Sequence, residues 1–161
     1  MSWLKPGANL EEVLALRPRL AEGFEAFLDE LYANPALSER VLELVRLRIA
    51  CIHAHEAEQQ RSESLLGLSA DELDDVRRAE FSRFGTAEQA ALRMAENMPF
   101  NHHAVSDRDV AALSECFGHG GAVALLTAAA LFDTICRWKE VLAVSAHPGN
   151  GRLERPRQVD G

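Results

Sequence analysis

A chain of 161 residues suits one domain and can bury a core without disulfide or metal staples. Its residues are 47% apolar and 26% charged, the balance of an ordinary soluble globular protein, which excludes a disordered tail, a collagen and a membrane-embedded chain. With 17 Lys and Arg against 25 Asp and Glu, the formal net charge is -8, and no basic block offsets it, so the balance argues against nucleic acid as a partner.

The first residues, Met1 to Gly7, lack the basic-then-apolar order of a signal peptide. From Leu10 onward apolar residues recur at helical spacing almost everywhere, so an all-α chain is expected. Leu10, Val13, Leu14 and Leu16 open one helix, which Pro18 interrupts. Leu20, Phe24, Phe27, Leu28 and Leu31 carry an apolar face to about Tyr32, and Asn34-Pro35 breaks it. Ser38 caps the next helix, where Val41, Leu44, Val45, Leu47, Ile49 and Ile52 alternate with Arg40, Glu43, Arg46 and Arg48. A polar stretch from His53 to Ser64 follows. Ser69 to Glu72 and Thr86 to Gln89 read as capping boxes, and Ser106 to Asp109 as a near miss with Asp in the fourth place. Gly118 ends that third helix. The last helix runs from about Gly121 to Val144, rich in alanine, either as a central core helix or as a subunit interface. Its apolar run, Gly120 to Phe132, is too short to cross a bilayer. One domain is expected over 1–146 and a loose tail over 147–161. Cys51, Cys116 and Cys136 are few, odd in number and far apart, the usage of a reducing compartment, which makes the cytoplasm the expected location.

The chemistry-bearing segment runs from Glu43 to Glu58. It holds Glu43, Cys51, His53, His55, Glu56 and Glu58 in sixteen positions. In one continuous helix Cys51, His55 and Glu58 share a face, Ser62 extends it, and His53 and Glu56 point elsewhere. Two chemistries suit that face. A His/carboxylate pair passes a proton, and a Cys, a His and a Glu on adjacent turns contribute ligands to a divalent metal, with His102, His103 or His119 as candidate partners from elsewhere. The blander alternatives stand beside these: a solvated His55–Glu58 ion pair, and Cys51 as a small core residue. Glu43 among apolar neighbours needs a partner, and Arg46 or Arg48 is the one expected.

The run Glu43-Leu-Val-Arg-Leu-Arg-Ile-Ala50 resembles the strongest block of the carboxymuconolactone decarboxylase and alkylhydroperoxidase D-like family. Leu16-Arg-Pro18, the Phe24/Phe27 helix, Thr86 to Met98, His103 to Asp107 and Ala130 to Leu142 resemble other parts of its peroxidase-related branch, so the likeness covers roughly residues 10–145. The resemblance implies an all-α, single-domain helical bundle that assembles through its helices as a dimer, trimer or hexamer. It also implies an antioxidant, peroxide-reducing activity. In the family a Glu, a Cys-x-x-Cys pair and a His form a proton relay around an attacking thiolate. Here the Glu position is Glu43, the two Cys positions are His55 and Glu58, and the His position is Ser62.

A carboxylate cannot complete a peroxide cycle through a disulfide, because the thiolate route supplies the two electrons. The expected site is therefore Glu43, Cys51, His55 and Glu58. It acts as an altered acid–base centre for a small organic acid or lactone, or as a metal site through His55 and Glu58. A single-Cys peroxidase using Cys51 for a hydroperoxide, and a non-catalytic helical oligomer binding a small ligand, are the alternatives. Neither nucleic acid nor membrane is an expected partner. In one straight helix Glu43 and His55 stand about 18 Å apart, so they meet only if the helix breaks between His53 and Glu56.

Overall fold

The computed structural model describes residues 7–144. The expected tail over 147–161 and the first six residues lie outside the described residues. The described chain is all-helical: seven α-helices and one short 3-10 turn, with no strand among the described residues. Its packing divides into two compact units, residues up to Ala33 together with those from Arg137 onward, and Asn34–Cys136.

In the first unit, Asn9 caps α1 (Leu10–Leu14): its Oδ1 accepts the Glu12 N–H at 2.9 Å while Glu12 reaches back to the Asn9 N–H at 3.1 Å. Pro18 opens α2 (Pro18–Tyr32) at a position where a missing N–H costs nothing, so the proline starts a second helix as well as interrupting the first. Phe24 of α2 meets Trp138 with ring centroids 5.5 Å apart.

The second unit is built around α3 (Glu39–Ile52), which packs on α4 (Glu56–Leu66), α5 (Ala70–Arg78) and α6 (Thr86–Asn97). Ser38 Oγ accepts the Val41 N–H, as its sequence position predicts. Every residue of α3 from Val41 to Ala50 is buried, so the helix is enclosed all round despite carrying Glu43, Arg46 and Arg48. Leu44 and Leu47 join Val76, Phe81, Phe84 and Leu92 in an apolar core, and Cys51, Leu66 and Leu73 pack against it.

The expected caps form with one displacement. Ser69 and Glu72 exchange hydrogen bonds, and the Ser69 N–H and hydroxyl hold the Glu72 carboxyl below its ordinary value. Ser106 and Asp109 do the same, so the shorter Asp suffices, and the Ser106 hydroxyl and N–H lower its carboxyl too. At α6 the cap is Gly85 and not Thr86, because Glu88 reaches back to the Gly85 N–H at 3.1 Å.

Helix α7 (Asp107–Val141) is interrupted at Gly118, where φ is 69° and ψ 168°. The Gly120 to Phe132 run is thus embedded in a longer apolar helix than its own length implies. By length and composition α7 is long enough to cross a membrane, and half of its most apolar stretch is buried against the rest of the chain. Gly121 lets α7 approach closely: an added Cβ would lie 2.8 Å from the Phe117 Cβ and 3.0 Å from the Ala36 Cβ.

Gly118 sits in a region of backbone space reserved for glycine, and nothing lies within 4 Å of an added Cβ there. Gly118→Ala is therefore expected to lose about 1–3 kcal/mol through backbone strain alone. Gly120→Ala, with open space and no positive φ, should be neutral or slightly stabilising. Urea unfolding of the two variants checks the contrast.

Candidate functional site

The break required between His53 and Glu56 is present. Helix α3 closes with two backbone hydrogen bonds, Ala54 N–H to Cys51 O at 3.1 Å and His55 N–H to Ala50 O at 2.9 Å. These form a Schellman motif, with Ala54 at φ 53° in the left-handed position that glycine normally fills. A left-handed alanine costs about 1–2 kcal/mol. The following turn offsets that cost: His55 becomes the N-cap of α4, its Nδ1 accepting the Glu58 N–H at 3.4 Å.

Helices α3 and α4 then run back to back, and four charges meet between them. Arg61 Nη1 donates to Glu43 Oε2 at 2.8 Å, and Ser62 Oγ donates to the same oxygen at 2.9 Å. One turn nearer the break, the Arg46 guanidinium holds Glu58 Oε2 at 2.6 Å. The Arg46 guanidinium also lies over the Phe132 ring of α7, 5.3 Å from its centroid. Glu43, Arg46, Glu58 and Ser62 are at most 2% exposed, and two carboxylates face two guanidinium groups. The third buried charge of α3, Arg48, donates to Glu96 at 2.5 Å and to the backbone carbonyls of Val76 and Arg77.

The partners differ from those expected. Glu43 is paired with Arg61 rather than with Arg46 or Arg48, because the turn-back brings α4 alongside it. His55 and Glu58 do not form a side-chain pair: Glu58 belongs to Arg46, and His55 holds a helix end. Cys51 does not share their face. It is half-buried against the Leu44, Leu47, Val76 and Phe81 core, and that burial pushes its thiol up, offset in part by Arg48 and Arg77. Ser62 reaches Glu43, Arg46 is held by Glu58 instead of Glu43, and Arg61 is the member of the cluster that helical spacing does not point to. Arg61 comes from α4, so spacing along α3 carries no signal for it.

A divalent metal does not fit the residues proposed for it. Glu58 is bound by a guanidinium, His55 Nδ1 is committed to the α4 terminus, and no group of three or more His, Cys, Asp or Glu side chains gathers among the described residues. His102 and His103 lie ring against ring, 4.0 Å apart, on an exposed 3-10 turn. His119 lines an open groove with Val110, Ser114 and Glu115.

A second titratable pair lies at the end of α3. His53 Nε2 stands 2.7 Å from Asp133 Oδ1 of α7, with the Phe100 ring 5.2 Å from the imidazole. The continuous helix face against which His53 was placed does not form, and His53 instead meets a carboxylate of α7.

No family model, curated protein or solved structure matches the chain.

Proposed function

We propose that this chain is an alkylhydroperoxidase D-like, carboxymuconolactone-decarboxylase-type helical protein whose thiol redox pair has been replaced. It acts by acid–base chemistry on a small organic acid or lactone. The observation that carries the reading is the 2.9 Å hydrogen bond between Ser62 and Glu43. These are the positions that correspond to the family's relay His and Glu, nineteen residues apart, and they meet only because the helix breaks where that arrangement needs it to.

The same reading makes the protein a cytoplasmic homo-oligomer assembling through its helices. The exposure of Val123 on α7, at 64%, is in keeping with that. The thiol route finds no support: the family's Cys positions hold His55 and Glu58, and the remaining nearby thiol, Cys51, is desolvated in an apolar cluster. A raised thiol is a poor nucleophile at neutral pH. The complete pairing of the buried charges favours a second reading, a non-catalytic helical oligomer that binds a small ligand.

The test is proton exchange. Purified protein is incubated in D2O with a panel of lactone acids and 2-oxo acids, and loss of substrate proton signals is followed by NMR. Enzyme-dependent deuterium incorporation into at least one compound is expected, together with no reduction of cumene hydroperoxide by dithiothreitol. Hydroperoxide turnover that disappears in Cys51→Ser would establish the lone-thiol peroxidase instead. Exchange with no member of the panel would favour the ligand-binding oligomer.

A further inference from the structure

His53 and Asp133 stand apart from the closed cluster in three respects. Their side chains keep some access to solvent, 9% and 19% exposed, where Arg46 and Glu58 have 2% each. The ring beside them, Phe100, is an exposed aromatic at 63%. The residue after His53 is Ala54, held in the left-handed region, and backbone strain of this kind concentrates at working sites. His55, by contrast, uses Nδ1 to hold a helix terminus.

The 2.7 Å contact fixes the chemistry of the imidazole. A carboxylate accepts from the ring nitrogen that carries the proton, so Asp133 holds the Nε2–H tautomer and leaves the Nδ1 lone pair as the base. A carboxylate in that position also stabilises the imidazolium that forms when Nδ1 takes a proton. Phe100 against the ring limits its rotation and offers an apolar wall to a bound molecule.

We propose that His53 is the catalytic base of this protein and Asp133 its positioning residue, acting on a small, partly apolar carbon acid. This rests on the acid–base reading above and assigns its proton-transfer group. The step is a proton transfer. The C–H bond next to the substrate carbonyl breaks, its proton goes to His53 Nδ1, and its electron pair moves onto the carbonyl oxygen as an enolate. The imidazolium trades its proton with solvent and delivers a solvent proton or deuteron to carbon, which completes exchange at the same carbon or a double-bond shift at another, with no oxidant or reductant consumed.

The experiment has two arms. Without substrate, nitrogen NMR of the imidazoles is expected to find neutral His53 protonated at Nε2. Diethyl pyrocarbonate is expected to acylate His53, read by peptide mass, under conditions that acylate the exposed His102 and His103. A proton on Nδ1, or a His53 that resists the reagent, overturns the assignment whatever the protein's activity.

With a compound that exchanges in D2O, His53→Gln is expected to lower kcat by about 10²–10⁴-fold with KM little changed. Asp133→Asn should lower kcat as well and disturb the His53 tautomer, a signature that a merely structural contact would not give. His53→Gln is chosen because its amide can still bond Asp133, and circular dichroism confirms retained helix. Full exchange in His53→Gln overturns this assignment and leaves the acid–base reading standing. If wild type exchanges no compound, that reading fails, and the first arm still judges the dyad.

Discussion

Arg46→Met is expected to cost about 3–5 kcal/mol of stability, the loss that follows when one partner of a buried ion pair is removed and the other charge stays behind. The pair it breaks has no recourse to water. Arg46 and Glu58 side chains are each 2% exposed, and the guanidinium makes two contacts of 2.6 Å to one carboxylate oxygen. Glu58→Leu should do comparable damage by stranding Arg46 over the Phe132 ring. The double variant Arg46→Met/Glu58→Leu removes both charges and keeps most of the volume, so it should recover most of the loss and end near wild type. Urea unfolding of the two singles and the double gives the coupling directly. A single-variant loss within the 1 kcal/mol expected of a surface pair would mean that water reaches the cluster.

That experiment also separates structure from chemistry at the α3–α4 pairing. A cluster whose charges cancel and whose hydrogen bonds are made within the chain holds two helices in register, and register is what the Ala54 break needs. Glu43, bound by Arg61 and Ser62, is tied to α4 two turns from the break, and Arg46–Glu58 ties the same helices one turn from it. Between them they fix how α4 returns along α3, and so where the α3–α4 turn places His53. The buried charges thereby act as a clamp, and the more open imidazole at the turn is the group free for the proposed proton chemistry.

Much of this architecture was legible in the residues. Ser38, Ser69 and Ser106 mark helix starts because their side chains supply the acceptor that the first turn lacks, and Gly118 marks a break because only glycine takes its backbone angles cheaply. The burial of Glu43 was legible from its apolar neighbours. Its partner was not, because spacing along one helix reports on residues three or four apart, while Arg61 arrives from the next helix. Ala54 hid the turn itself: alanine is a strong helix former, and tertiary ties overrule that preference. His53 went unassigned for the same reason on a larger scale, its carboxylate lying 80 positions away. Cys51 was grouped with His55 and Glu58 by helical phase, a phase that ends at Ile52.

The widest expected change in reactivity comes from placing thiols at positions 55 and 58, which the proposed resemblance makes the Cys-x-x-Cys pair. In His55→Cys/Glu58→Cys the second thiol takes the place of a carboxylate that the Arg46 guanidinium holds at 2.6 Å. It also sits in the first turn of α4, where backbone N–H groups favour a negative charge. Both effects stabilise a thiolate. An ordinary cysteine is only a few per cent ionised at pH 7, so the introduced thiol should carry about tenfold more thiolate there. One equivalent of hydroperoxide should then convert the two new thiols to a disulfide, the peroxide oxygen–oxygen bond breaking to give an alcohol and water, and dithiothreitol should restore them. Peptide mass analysis reads each step. Fast thiol chemistry here, against a silent wild type, would place the altered side chains and not the fold as what separates this protein from a thiol peroxidase. Two introduced thiols that stay unreactive would count against the resemblance at these positions, because the frame around them would not be one built for a thiolate.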